Sequence, residues 1–134
     1  HADIKQELSA QFKYISNNSI YKNIAVLSLK DNDFSVEGEK FLREKLIPEL
    51  GMNITFSEGV VSDASDYRVV ISKLKQISDK TDVIYVDLLA KGLVNFLKEA
   101  QELKLNTPII PNKSVNSPEF LDNIGNLGEG INPR

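Results

Sequence analysis

The chain has 134 residues, 41% of them hydrophobic and 26% charged, with a formal net charge of −3, the size and composition of one ordinary globular domain. This mild acidity, with cations interleaved among acids as at Lys40, Arg43, Glu44 and Lys45, argues against a nucleic-acid surface, which needs clustered Lys and Arg to neutralise phosphates. The lack of cysteine excludes disulfides, thiolate metal sites and cysteine nucleophiles, and no apolar run approaches the ~20 residues of a membrane-spanning helix.

The N-terminus is charged and polar, without the pattern of a signal peptide. His1 is the single histidine; it is set aside as a tag remnant, which leaves no basis for a zinc site. Ile4, Leu8, Phe12 and Ile15 recur at helical spacing, and Asn17, Asn18 and Ser19 then break the pattern. Residues 24–29 form a nearly continuous apolar run with β-branched members, the signature of a strand buried on both faces of a parallel sheet. A polar loop at 30–35 leads into a helical stripe within 36–50: Phe41, Leu42, Leu46, Ile47 and Leu50. Pro48 should disturb the last turn, and Gly51 suits the position just past the helix end.

A second strand is expected over 53–61, then a polar stretch at 62–66 in which Ser65 or Asp66 caps the next helix. That helix carries Tyr67, Val70, Ile71, Leu74 and Ile77 on one face. The third strand spans 83–88, the fourth helix is marked by Leu93, Phe96, Leu97, Ala100 and Leu103, and a short fourth strand covers 108–111. Ser117, Pro118 and Glu119 read as a final helix start, and Gly125, Gly128 and Gly130 as turn residues. Alternation of helix and strand predicts a doubly wound three-layer α/β/α sandwich with a mostly parallel sheet, as one domain over 1–134.

In open parallel sheets ligands bind in the crevice beyond the carboxyl ends of the strands. The loops there are 30–35, 62–66, 87–91 and 111–116. In the first, Asp33 is read as a helix cap or a ligand contact, and Phe34 as a staple or core residue or as a ring over a bound ligand. In the third, Asp87 follows a buried strand and either faces the crevice or caps the next helix. Lys113 closes the fourth strand and is read as a solvated lysine or as a ligand contact. The dinucleotide-binding glycine fingerprint, the phosphate-binding Walker loop and the Gly-x-Ser-x-Gly nucleophile elbow are all absent from the sequence.

The run Tyr21 to Leu27, followed by Asn32-Asp33-Phe34-Ser35-Val36-Glu37-Gly38, resembles the type 1 periplasmic binding proteins, in particular the branched-chain amino acid binding proteins of ABC importers. The stretches 65–75, 81–86 and 96–110, then Ser117 to Leu121 and Gly128 to Ile131, resemble the same family in order and spacing. The resemblance implies the second lobe of a bilobed, non-enzymatic solute receptor, periplasmic or extracellular, with any signal or membrane anchor outside this segment. Its partners would be a small solute such as an amino acid, the first lobe of the same protein, and a transporter permease; it implies no cofactor and no metal. By the same resemblance the aromatic contact after the first strand falls on Phe34, a second contact falls near Asp87 or Leu89, and the acid that pairs with an amino-acid ammonium falls at Lys113. That last position is a charge reversal, since a lysine holds an anion rather than an ammonium; Asp87 is the other candidate for the ammonium. Two further readings share the fold: a phosphoacceptor receiver domain, with acids at Asp31, Asp33 and Asp87, and the effector lobe of a transcriptional regulator.

Overall fold

The computed structural model describes residues 4–18 and 21–112. Lys113, the helix start at 117–119 and the late glycines lie outside the described residues. The elements run α1 (Ile4–Asn18), β1 (Asn23–Leu29), α2 (Asp33–Phe41), a π-helical turn (Leu42–Leu46), α3 (Ile47–Glu49), β2 (Asn53–Val60), α4 (Arg68–Gln76), a 3₁₀ turn (Ser78–Lys80), β3 (Val83–Val86), α5 (Ala90–Glu102) and β4 (Ile109–Pro111).

All three strand pairings are parallel, and the sheet order is β2-β1-β3-β4. β1 is therefore interior, and its residues from Ile24 to Leu29 are all buried, as the continuous apolar run requires. Its side chains alternate between two cores. Ala25, Leu27 and Leu29 join Ile84, Val86 and Ile109 beneath α4 and α5, with Ile71, Leu74, Phe96 and Leu97. Ile24 and Val26 join Val83, Tyr85 and Ile110 beneath α1 and the α2–α3 segment, with Phe12, Leu42 and Ile47. Helices on both faces of a parallel sheet give the expected three-layer sandwich.

The helix carrying Pro48 differs from the expectation of a disturbed last turn. Pro48 has no N–H and its ring crowds the carbonyl four residues back. The chain answers one turn earlier: the Ile47 N–H reaches back five residues to the Leu42 carbonyl, so a π turn absorbs the misfit. The helix then stops cleanly. Gly51 adopts φ +71°, its N–H bonds the Pro48 carbonyl at 3.1 Å, and the Met52 N–H bonds the Ile47 carbonyl at 3.0 Å, the paired bonds of a Schellman end. The end of α5 repeats these bonds, Lys104 N–H to Gln101 and Leu105 N–H to Ala100, but the left-handed position is occupied by Lys104 at φ +61°.

Other boundaries shift by small amounts. β3 ends at Val86, leaving Asp87 and Leu88 outside the strand. The cap of α4 is neither Ser65 nor Asp66 but Tyr67. The first turn is satisfied from two directions: Asp66 accepts from the Arg68 N–H at 2.9 Å, and Glu99, on α5, accepts from the Tyr67 N–H at 2.6 Å.

Candidate functional site

From β1 the chain crosses to β2 on one side, then returns past β1 to β3 on the other. The carboxyl ends of β1 and β3 thus mark the topological switch point, where loops diverge to opposite faces and leave a crevice. The loops carrying the candidate residues meet there.

Asn32, rather than Asp33, caps α2: its side chain accepts from the Ser35 N–H at 3.0 Å. Asp33 is the first residue of the helix, exposed, where a carboxylate complements the positive helix end. Phe34 follows and is 64% exposed, so it is neither a core residue nor a buried staple. Ser35 is buried. Its Oγ accepts from the Leu29 N–H and donates to Asp87 Oδ2, both at 2.8 Å. The other oxygen of Asp87 accepts from the Asn112 side-chain amide. Asp87 therefore ties the β1–α2 loop to the residue after β4. It does not cap α5, whose cap position is Leu89 without a side-chain hydrogen bond. Leu89 is 54% exposed.

A second clasp joins the first loop to the β2–α4 loop. Asp31 accepts from the Ser62 N–H at 3.0 Å and from the Ser62 hydroxyl at 2.9 Å. The Ser62 N–H, helped by the hydroxyl, holds the Asp31 carboxyl below the usual carboxylate range. Ser35, Asn112 and Ser62 were not singled out from sequence. Small polar residues in loops are too common to stand out until the topology brings them together. One local signal existed for Ser35: Asn-x-x-Ser at a helix start is the spacing of a cap and its recipient.

Around this framework the rim carries exposed apolar side chains among its charged ones, such as Lys30, Asp33 and Asp63. Besides Phe34 and Leu89, the exposed large hydrophobic residues include Val36, Val61 and Val69. Val36 lies in the first turn of α2, Val61 directly follows β2, and Val69 lies in the first turn of α4. Among the described residues Tyr14 is the one other exposed large hydrophobic, and it lies on α1. Single exposed hydrophobics are ordinary; the five other than Tyr14 share a position in the fold, on segments that begin at or just after the carboxyl ends of the strands. The structure thus brings Asp33 and Phe34, at the start of α2, and Asp87 and Leu89, between β3 and α5, to one edge of the sheet. Lys113 lies outside the described residues.

At the opposite end of the strands, a cavity of about 330 Å³ is lined by Lys75, Asp79, Thr81, Lys104 and Thr107, among others. It lies where α4 and α5 end.

No family model matches the sequence, and no curated protein matches it. Solved structures do. A type 1 periplasmic binding protein from Bordetella pertussis Tohama I aligns over 97% of this chain and 33% of its own, at 17% identity and a TM-score of 0.80. A branched-chain amino acid ABC transporter protein from Thermus thermophilus with bound valine aligns over 97% of this chain and 33% of its own, at 20% identity and a TM-score of 0.79. A solute-binding protein of an ABC transporter from Rhodopseudomonas palustris BisB5, in complex with 3,4-dihydroxybenzoic acid, aligns over 81% of this chain and 29% of its own, at 21% identity and a TM-score of 0.68. The chain spans about a third of the length of these structures. It has the fold of one lobe of a type 1 periplasmic binding protein, the fold the sequence resemblance implies.

Proposed function

We propose that this chain is one half of a solute clamp: the lobe of an extracellular or periplasmic substrate-binding protein of an ABC transporter, whose carboxyl-edge rim takes up a small organic solute such as an amino acid or an aromatic acid. The observation that carries this reading is that exposed Phe34 and Leu89 follow β1 and β3, whose carboxyl ends form the switch point, with the loops after them tied together by Ser35 and Asp87. The fold neighbours supply the context, since one holds valine and another 3,4-dihydroxybenzoic acid. In this reading no bond is made or broken. The other lobe of the same protein closes over the solute by hinge motion, and contacts from both sides favour the closed form. A transporter permease then receives the loaded protein. No helix of the described residues is long and apolar enough to cross a membrane.

The receiver-domain reading is disfavoured by the clasps. A phosphoacceptor site needs carboxylates converging on one point, whereas Asp31 is committed to Ser62 and Asp87 to Ser35 and Asn112. The effector lobe of a regulator shares the fold, and the same solute-binding rim would serve it.

The test is calorimetry on the chain alone with amino acids and hydroxybenzoates. A half-cleft lacks the contacts of its partner, so dissociation constants should be on the order of 1 mM, worth about 4 kcal/mol. Micromolar or tighter binding would show that the site is complete in this chain and would overturn the half-cleft.

A further inference from the structure

We propose that the cavity at the amino end of the sheet is a second binding site, separate from the rim, and that it takes a doubly charged oxyanion: phosphate, or the phosphoryl group of a small phosphate ester. The cavity, of about 330 Å³, has the volume of a small-molecule site. Lys75, in the last turn of α4, and Lys104, two residues past the end of α5, both line it. Asp79 is the one carboxylate among the lining residues, so two cations stand against one acid. Neither lysine has an ion-pair partner among the described residues. Thr107 also lines the cavity; it is buried, and its hydroxyl makes no hydrogen bond among the described residues. Two ammonium groups and a hydroxyl are donors that suit the several acceptor oxygens of a phosphate.

The backbone of Lys104 is the independent observation. It is held at φ +61°, where a Cβ is penalised and glycine is not. The matching helix end uses glycine: Gly51 sits at φ +71°, and a Cβ there would meet open space. At Lys104 the same turn borders the cavity, and the chain keeps a long cation in the unfavourable conformation. Such an outlier points to a side chain in use. Cations near helix carboxyl ends also complement the terminal carbonyls, but here those carbonyls have donors of their own. Leu74 accepts from the Ile77 N–H at 3.2 Å and Lys75 from the Ser78 hydroxyl at 2.9 Å. Glu99, Ala100 and Gln101 accept from the N–H groups of Leu103, Leu105 and Lys104.

The experiment titrates inorganic phosphate and glycerol 3-phosphate into the chain and follows amide chemical shifts. It is run at about pH 8, where a phosphate ester is a dianion, with sodium chloride holding the ionic strength at about 0.15 M. The proposal predicts saturable shifts at 75–81 and 104–108, half-complete on the order of 1 mM, with 31–36 and 87–92 unmoved. Lys104→Gly keeps the helix end and should weaken binding by about fivefold or more. Lys104→Arg keeps the charge and should retain binding. Urea unfolding of Lys104→Gly confirms that the fold is intact. A tighter glycerol 3-phosphate assigns the cavity to a phosphate ester, and equal affinities assign it to the free ion. Shifts no larger than those from added chloride alone overturn the proposal, as does full binding by Lys104→Gly. Either result returns the two lysines to a structural role at the helix ends. The rim takes no part in this site, so its failure leaves the half-cleft standing.

Discussion

Ser35 and Asp87 are joined across the point where the strand order reverses: the serine hydroxyl, while accepting from the Leu29 N–H, donates to the aspartate at 2.8 Å. One small side chain thus completes the backbone of β1, orients the carboxylate after β3, and sets where Phe34 and Leu89 stand.

Replacing Ser35 with alanine leaves the Leu29 N–H without its acceptor in a buried place. The expected loss is about 1–3 kcal/mol of stability, read from urea unfolding. Asp87→Ala should lose part of the same interaction, so the double variant should fall short of the sum of the two single losses. Full additivity would show that the two residues do not act together.

Gly92 is required by Tyr67. A Cβ at Gly92 would lie 2.7 Å from the Tyr67 hydroxyl oxygen, which is buried without a hydrogen-bond partner among the described residues. Gly92→Ala should therefore destabilise by about 1–3 kcal/mol. Tyr67→Phe removes an unpaired polar atom and should be neutral or stabilising, and in that background Gly92→Ala should cost clearly less. Equal costs in both backgrounds, by thermal unfolding, would mean that the hydroxyl is not the obstacle.

Lys104 holds a left-handed conformation at the end of α5. Glycine adopts it without the Cβ penalty, so Lys104→Gly should stabilise the fold by about 0.5–1 kcal/mol after the extra entropy of glycine is counted. The midpoint of urea unfolding should rise with an unchanged slope.

Asp82 accepts from the Lys22 and Asn23 N–H groups at 2.9 and 2.8 Å and pins the starts of β1 and β3 together. The Lys22 N–H first, then Asn23, holds its carboxyl below the usual range. A depressed folded-state pKa stabilises above the unfolded value of about 3.9 and loses that contribution as pH falls through the folded value. The chain should accordingly lose stability on acidification below about pH 4, and Asp82→Asn should lose less over the same interval. Identical acid profiles for the two proteins would remove Asp82 from the account.

Much of the fold was legible because the signals were strong and local. The unbroken run in β1 announced burial on both faces, and the stripes of α1, α4 and α5 kept helical period. The helix through Pro48 was read less well, because a proline shows where an N–H is missing and not which turn will widen to absorb it. The cap of α2 slipped by one residue from Asp33 to Asn32, since both side chains can cap and only the backbone angles choose. The rim followed from the alternation of strand and helix, since parallel strands bring their carboxyl ends to one edge; Asp33 and Phe34 stand there at the start of α2, and Asp87 and Leu89 between β3 and α5. Their use did not follow. That Asp87 is a clasp rather than a cap depends on Ser35 and Asn112, which lie 52 and 25 residues away in sequence, and no local pattern records such a meeting.

The central claim is that the carboxyl-edge rim is the solute-facing surface. Its most direct test is the map of amide shifts over the whole chain as a panel of valine, 3-methylbutanoate and 4-hydroxybenzoate is titrated in. The account predicts saturable shifts concentrated at 31–36, 61–66 and 87–92. Saturable shifts centred instead on the cavity between Lys75 and Lys104, with the rim unmoved, would contradict it.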